Sequence, residues 1–485
     1  MLTRTWSTYQ ERIFDFVENG TGNAIVEAVA GSGKSTTLVE CSARAKGSSL
    51  LLAFNKSIAE ELKARGVNAR TFHSLTFMPV TRDRGVRNIE QNKLRKLVNE
   101  NLEGARAEMY GPFITRLVSL GRQSGIGCLL PDLPEHWLEL VDYHELQLDK
   151  KGATIEAAVE LASELLGWSN KSNLCDFDDL LYFAVRDGIE LQKYDFTFVD
   201  EAQDTNAIQR ALLRKILTPQ SRIMAVGDPA QAIYGFRGAD SDSMNLIASE
   251  FQCTRLPLSV SYRCPTSVVN HARQWVSHIL AAPGATEGSV ESRGTAWGPS
   301  DFNPNDLIIC RTTAPIVSLA FRLLRNGRAA RIMGREIGQG LTSLIKRMHA
   351  ETVNELEANL ETYRTREKEK ARAKGDEAKV EAIDDKVETI LCLLHELPET
   401  SRTIGELMQT IERLFSAGSA EAVVLSTIHR AKGLEADTVY WLNSDRCPAK
   451  WARQDWQKQQ EANLCYVATT RAKHSLILIQ EEERK

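Results

Sequence analysis

Short apolar runs and amphipathic stretches alternate along the chain. Asn23 to Val29 (NAIVEAV) is rich in small and β-branched residues, AGSGKS follows, and TTLVECSARAK has helical composition. This reads as strand, loop and helix. Ser49 to Phe54 (SLLLAF) leads in the same way into KSIAEELKARG. Alternation of this kind predicts a parallel sheet with right-handed crossovers. From about Met78 to Asn170 the spacing becomes that of amphipathic helices (NKLRKLVNENLEGARAEMY, then ATIEAAVELASELLGW). Strand patterns return at Phe196–Val199 and Arg222–Val226, then at Leu307–Cys310, Val423–Leu425 and Leu476–Ile479. Residues 335–420 are helical again and include the charge-dense YRTREKEKARAKGDEAKVEAIDDK, which reads as a solvated helix or a short helical hairpin. The expected architecture is α/β, with two lobes built on parallel sheets: residues 1–77 with 172–252, and residues 253–334 with 421–485. Each carries a mostly helical insertion, residues 78–171 and 335–420.

Composition narrows the classes. At 485 residues the chain is long enough for roughly three domains of ~150 residues. Lys and Arg number 60 against 64 Asp and Glu, a formal charge of −4. That lacks the basic excess of a chain held to nucleic acid by bulk charge, but it leaves a local basic groove open. Hydrophobic residues at 42% and charged residues at 26% exclude wholesale disorder. No uncharged apolar run reaches the ~18 residues a membrane-spanning helix needs. The opening MLTRTWSTYQERIFDF has no signal-peptide pattern. Nine cysteines without a CxxC pair argue against a disulfide framework and a zinc site, so a reduced, cytoplasmic setting is expected.

Ala28 to Ser35 reads AVAGSGKS. Gly31 and Gly33 allow the tight turn that points successive N–H groups at phosphate oxygens, and the following helix presents its N-terminus to the same anion. Lys34 is placed to reach β- and γ-phosphates, and the Ser35 hydroxyl suits Mg²⁺. The general pattern GxxxxGK[ST] begins with Gly, where this chain has Ala28. The alternative, a Gly/Ser-rich turn with an incidental lysine, does not account for the strand before it and the helix after it.

Such a loop needs an acidic partner. Phe196 to Val199 is a buried-strand run that ends in Asp200 and Glu201, and the carboxyl ends of parallel strands are where these sheets hold ligands. Asp200 becomes the candidate Mg²⁺ partner, and Glu201 the residue that orients an attacking water. Alone, two tandem acids could be surface charge.

The remaining motifs carry a resemblance. VDEAQDTN (199–206), VGDPAQAIYGFRGAD (226–240), LSVSYRCP (258–265), LSTIHRAKGLEAD (425–437) and EANLCYVATTRAK (461–473) occur in this order, after AFNKSIAEEL and TFHSL. Together they resemble the motifs of superfamily 1 helicases of the UvrD/Rep type, from Gln10 to about Lys473. Three features depart from the commoner family pattern: Ser261 stands where Asn is general, Phe236 where Trp is common, and the second insertion is short. These suggest a compact member, similar to phage-borne relatives or to the F-box helicases.

The resemblance implies two RecA-like P-loop lobes with ATP and Mg²⁺ as cofactors. It implies that Gln10 reads the adenine edge, that Tyr262 stacks on the adenine, and that Ala30, Gly31, Ser32, Gly33, Lys34, Ser35 and Thr36 line the phosphates. Arg263 and Arg471 would come from the second lobe onto the γ-phosphate, Glu435 would contact the ribose, and Gln231 would link the γ-phosphate to the DNA track. Phe54, Asn55, Phe72, His73, Tyr234, Phe236, Arg237, Thr427, His429 and Lys432 would contact single-stranded DNA. Singly, an aromatic of this set is more often core than platform, and an arginine more often a surface ion pair. Phe236, between Gly235 and Arg237 in a polar loop, is the strongest platform candidate.

The expected function is an ATP-dependent DNA helicase that closes on ATP between its lobes, steps 3′→5′ on single-stranded DNA and opens duplex junctions. It would act as a monomer, away from membranes, with replication or repair proteins as partners. Two alternatives remain open: a DNA-stimulated translocase that strips proteins without unwinding, and a nucleotide-switched binding module of a larger complex.

Overall fold

The computed structural model describes residues 5–481, except 145, 147, 149, 151, 234–241, 374 and 416–420 and the side chain of Ser401. The chain divides into two units: Met1–Ala28 with Gly33–Ser259, and Val29–Ser32 with Val260–Lys485.

The first unit contains β1 (Ala24–Ala28), β2 (Ser49–Leu52), β3 (Ala69–Arg70), β4 (Phe196–Val199), β5 (Arg222–Gly227) and β6 (Thr254–Leu258). They form one six-stranded sheet in the order β3-β2-β4-β5-β1-β6, and all pairings are parallel. Successive strand residues point to opposite faces, and both faces are covered. Val26, Leu51, Phe198 and Met224 pack with Ile13, Phe14 and Leu38. Ile25, Leu50, Leu52 and Ile223 pack with the helices between β3 and β4. Burial on both faces is why these strands read as continuous apolar runs rather than as alternation. Thr254–Leu258 pairs with Ala24–Ala28 as the edge of this sheet, and the first unit runs to Ser259.

Between β3 and β4 the chain forms helices Phe72–Asp83, Lys93–Asn101, Gly104–Ser124, Pro134–Tyr143, Ile155–Lys171 and Phe177–Arg186. Lys93 and Asp179 meet at 2.6 Å with both side chains fully buried, and Arg122 adds a 2.7 Å bond to the same carboxylate.

The second unit has a small parallel pair, β7 (Val260–Ser261) with β8 (Leu280–Ala281). Its main sheet comprises β9 (Ser289–Gly294), β10 (Leu307–Cys310), β11 (Ala330–Ile332), β12 (Val423–Thr427), β13 (Ala436–Leu442) and β14 (Ala472–Ile479). The order is β11-β12-β10-β13-β14-β9, again parallel throughout. Two parallel-sheet α/β units are therefore present. The charge-dense segment is a hairpin of helices Val353–Ala373 and Glu377–Glu396, with Gly375 at φ +72° in the turn. Its inner face packs Leu356, Leu360, Val387 and Ile390 into the core of this unit, while Arg364 bonds Asp384 at 2.6 Å between the two helices.

Candidate functional site

β1 runs directly into the loop that precedes helix Lys34–Arg44. Gly31 and Gly33 sit at φ +71° and +80°, where a side chain is strained. A Cβ at Gly33 would meet only Gln10 Nε2 at 3.8 Å, so backbone conformation rather than lack of space requires glycine there. No side chain caps this helix, which leaves its first N–H groups available to an anion. Ser32 Oγ is buried without a partner among the described residues. Uncapped donors and an orphaned hydroxyl fit a bound polyphosphate.

The adjacent strands supply the carboxylates. Asp200 and Glu201 follow β4 and Asp228 follows β5; β5 pairs with β1, and β4 is the next strand beyond it in the order β4-β5-β1. Both carboxylate oxygens of Glu201 are 2.9 Å from Lys34 Nζ. Burial disfavours the lysine's charge, but the fields of Glu201, Asp200 and Asp228 outweigh it and hold its pKa above the ordinary value. Burial, then the charge of Glu201, push the Asp200 carboxyl up to about 6 against the pull of Lys34. Burial likewise raises Asp228, against the field of Lys34. Ser35 Oγ lies 3.5 Å from Asp200 Oδ2. A hydroxyl and a carboxylate are hard oxygen donors that suit Mg²⁺, which takes one or two carboxylates and completes its shell with phosphate oxygens and water.

Glu201 adopts φ +50°, a left-handed conformation that non-glycine residues keep only where their surroundings enforce it. Its N–H donates to Asp200 Oδ1 at 2.9 Å, and Gln203 donates to its carboxylate. Gln203 Oε1 in turn accepts from the Asp228 N–H at 3.0 Å. Gln231 Nε2 donates to Asp228 Oδ2 at 2.6 Å. Lys34, Ser35, Asp200, Glu201 and Gln231 thus belong to one hydrogen-bonded, ion-paired group. Gln203 and Asp228 were missed as site residues; the signal for Asp228 was its place immediately after a strand beside β1. Gln10 is buried, donates to Thr37 Oγ1 at 3.0 Å, and accepts from the Ser7 N–H at 3.1 Å in the capping box of its own helix.

In the second unit, Glu435 pairs with Arg263 and with Lys473, each at 2.7 Å. Burial opposes ionisation of Glu435, but Lys473 and Arg263 outweigh it and hold its pKa below the usual carboxylate value. Arg263 also donates to the Thr470 carbonyl at 3.3 Å. Arg471 is fully buried. Its guanidinium donates to the carbonyls of Val467 at 2.9 Å and Leu434 at 3.3 Å, and to Thr470 Oγ1 at 3.2 Å. Tyr262 is 48% exposed. Thr427 closes β12 and stands at the N-cap position, without a side-chain capping bond, of the short helix that carries His429, with Lys432 immediately after it.

The DNA-track candidates separate. Phe54 is 49% exposed, and Asn55 Oδ1 caps the next helix by accepting from the Ile58 N–H at 2.9 Å. Phe72 is only 7% exposed and packs in the core with Leu50, Leu52 and Leu75. His73 is half-buried and packs edge-on against Phe177. Tyr234, Phe236 and Arg237 lie outside the described residues. Among the described residues no helix is long and apolar enough to cross a membrane.

A family model for the UvrD/REP helicase N-terminal domain matches residues 9–252. The chain belongs to the UvrD/Rep helicase family. In this UvrD/Rep-type chain residues 422–479 match a second model, for the UvrD-like helicase C-terminal domain, and the two α/β units correspond to the RecA-like lobes of that family. F-box DNA helicase 1 of Gallus gallus is 27% identical over 519 residues, covering 98% of this chain and 49% of the relative. F-box DNA helicase protein 1 of Schizosaccharomyces pombe is 25% identical over 502 residues, covering 93% and 55%. ATP-dependent DNA helicase PcrA of Staphylococcus epidermidis is 26% identical over 295 residues, covering 53% and 38%. The chain spans about half the length of the F-box relatives, and less of PcrA.

Proposed function

We propose that this UvrD/Rep-type chain is an ATP-driven DNA helicase that moves 3′→5′ on single-stranded DNA and opens duplex junctions. We take it to work as a cytoplasmic monomer beside replication or repair proteins, with residues 78–171 and 335–420 as its helical insertions. The observation that carries the reading is the bidentate contact of Lys34 with Glu201, set between an uncapped helix N-terminus and the buried Asp200.

The chemistry follows from competition for Lys34. Incoming β- and γ-phosphates would replace Glu201 as partners of the ammonium, with the loop N–H groups and Ser32 adding hydrogen bonds. Glu201, released, would then accept a hydrogen bond from the attacking water and orient it. Ser35 and Asp200 would hold Mg²⁺, which neutralises charge on the phosphates when bound. Gln231 would report the γ-phosphate, and Gln10, Thr36, Tyr262 and Glu435 would hold the nucleoside and its phosphates. Arg263 and Arg471 would stabilise the transferring phosphoryl group; to do so, Arg471 must exchange its backbone acceptors for phosphate oxygens. Phe54, Asn55, His73, Tyr234, Phe236, Arg237, Thr427, His429 and Lys432 would follow the strand, through stacking and backbone contacts rather than base readout.

The test is ATP hydrolysis with and without single-stranded DNA, in wild type and Lys34→Ala. DNA-stimulated turnover that the substitution abolishes is expected. Turnover retained in Lys34→Ala would refute the phosphate-loop assignment, and turnover indifferent to DNA would refute the coupling.

A further inference from the structure

In the first unit, the loop between helices Gly104–Ser124 and Pro134–Tyr143 and the outward face of the second helix carry apolar side chains that the roles above leave unused. Leu129, Leu130, Leu133 and Leu138 are each between 37% and 40% exposed. A single exposed leucine is ordinary on a protein surface. Four within ten residues mark an interaction surface.

These leucines stand on a fixed backbone. Gly125 ends the first helix in the left-handed conformation, at φ +86°. Its carbonyl accepts the N–H groups of Leu129 at 2.8 Å and Leu130 at 3.0 Å, and the Gly127 N–H donates to the Leu130 carbonyl at 2.7 Å. Asp132 accepts from Trp137 Nε1 at 2.6 Å and from Ser163 Oγ at 2.8 Å. His136 Nδ1 bonds the Pro131 carbonyl at 2.9 Å. Trp137 itself is fully buried, and a Cβ at Gly121 would collide with its ring, so that glycine makes room for the anchor. Apolar groups already held in place lose little further entropy when a partner covers them.

Charge selects the partner. Between Arg122 and Lys150 the sequence has six acids and no lysine or arginine. On helix Pro134–Tyr143, Trp137 and Val141 face the core. Leu138 therefore points outward between Glu135 at i−3 and Asp142 at i+4, with Glu139 next to it, and all three acids are exposed. Ser163 joins helix Ile155–Lys171 to Asp132, and Glu160, one turn before Ser163, is exposed as well. The leucines thus sit in a negative field, which repels nucleic acid and anionic lipid. What covers the leucines and matches the acids is an apolar stripe flanked by cations, the surface of a basic amphipathic helix.

We infer that this surface docks a basic amphipathic helix of a partner protein, with the four leucines under its apolar stripe and Glu135, Glu139 and Asp142 paired with its cations. The surface shares no residue with the ATP site or the proposed DNA track, so the inference goes beyond the motor reading and does not depend on it.

The test measures binding of the whole chain to a synthetic leucine–lysine helix of roughly 18 residues, with its leucines along one face. The controls are a scrambled peptide of the same composition and a leucine–glutamate helix of the same pattern. Wild type should bind the leucine–lysine helix roughly ten-fold or more tightly than either control, and less tightly as salt rises. Leu130→Ser with Leu133→Ser should lose about ten-fold of that affinity. Glu135→Lys with Glu139→Lys should lose affinity and salt dependence together. All four side chains are exposed, so the melting midpoint and ATP hydrolysis of both variants should stay at wild-type values. Wild-type binding no tighter than to the scrambled peptide overturns the inference, as does wild-type affinity in both variants. Self-association of the wild type that the leucine variant abolishes would make a second copy the occupant, and duplex DNA binding that it weakens would make nucleic acid the occupant; either result also overturns it.

Discussion

Lys34 and Glu201 face each other at 2.9 Å through both carboxylate oxygens. The cation that would take the phosphates is therefore neutralised by the carboxylate that would orient water. On the proposed reading the two roles would become available together, when phosphate displaces one partner from the other.

Glu201→Gln should keep ATP binding, because an amide releases Lys34 more readily than a carboxylate does. Hydrolysis should fall by roughly 10²–10⁴, the usual share of a positioned base. Single-turnover hydrolysis and nucleotide binding measured on the same preparation check this. A wild-type rate removes Glu201 from the mechanism.

The two arginines should part company. Arg263 is partly exposed and pairs with Glu435 at 2.7 Å, a kind of contact worth only ~0.2–1 kcal/mol. Arg263→Ala should therefore melt near wild type while turnover drops by on the order of 10³ or more. Arg471→Ala should lose turnover and also stability, by about 1–3 kcal/mol for each buried acceptor left unpaired. Equal melting of the two variants, by calorimetry, would contradict the distinction drawn from their burial.

Much of this was legible in the sequence. Strands buried on both faces, such as Leu50–Leu52 and Phe196–Val199, announce themselves as apolar runs. Thr254–Leu258 (TRLPL) does not, because as an edge strand its side chains are mostly exposed. Ala436–Leu442 also escaped, its start masked by the polar Asp437 and Thr438. Motif order pointed to Lys34, Asp200 and Glu201, since residue type and strand-end position define their chemistry. The same order could not show that Phe72 turns inward or that Arg471 is tied to backbone carbonyls. Side-chain direction depends on packing against distant segments, and residue type does not encode it.

Asp179 tests how the helices between β3 and β4 are held together. Asp179→Asn would leave the buried Lys93 ammonium, 2.6 Å away, and the Arg122 guanidinium without its charge. Breaking a buried pair by removing one partner costs about 3–5 kcal/mol. Denaturant unfolding should show a loss of that size. A change below about 1 kcal/mol, the scale of an exposed pair, would mean that water reaches the network.

Phe236→Ala should weaken single-strand binding by about 1–3 kcal/mol and leave DNA-free ATP hydrolysis and the melting midpoint near wild type. Phe236→Trp should preserve unwinding. A stability loss of about 3–5 kcal/mol in the alanine variant would instead make the ring a core residue.

Strand displacement from 3′-tailed, 5′-tailed and blunt duplexes, with and without ATP, tests the central claim most directly. The wild-type chain should release the strand from the 3′-tailed duplex only, only with ATP, and Lys34→Ala should release none. Displacement from the 5′-tailed duplex alone would reverse the polarity, and ATP hydrolysis without displacement from any substrate would contradict the helicase reading.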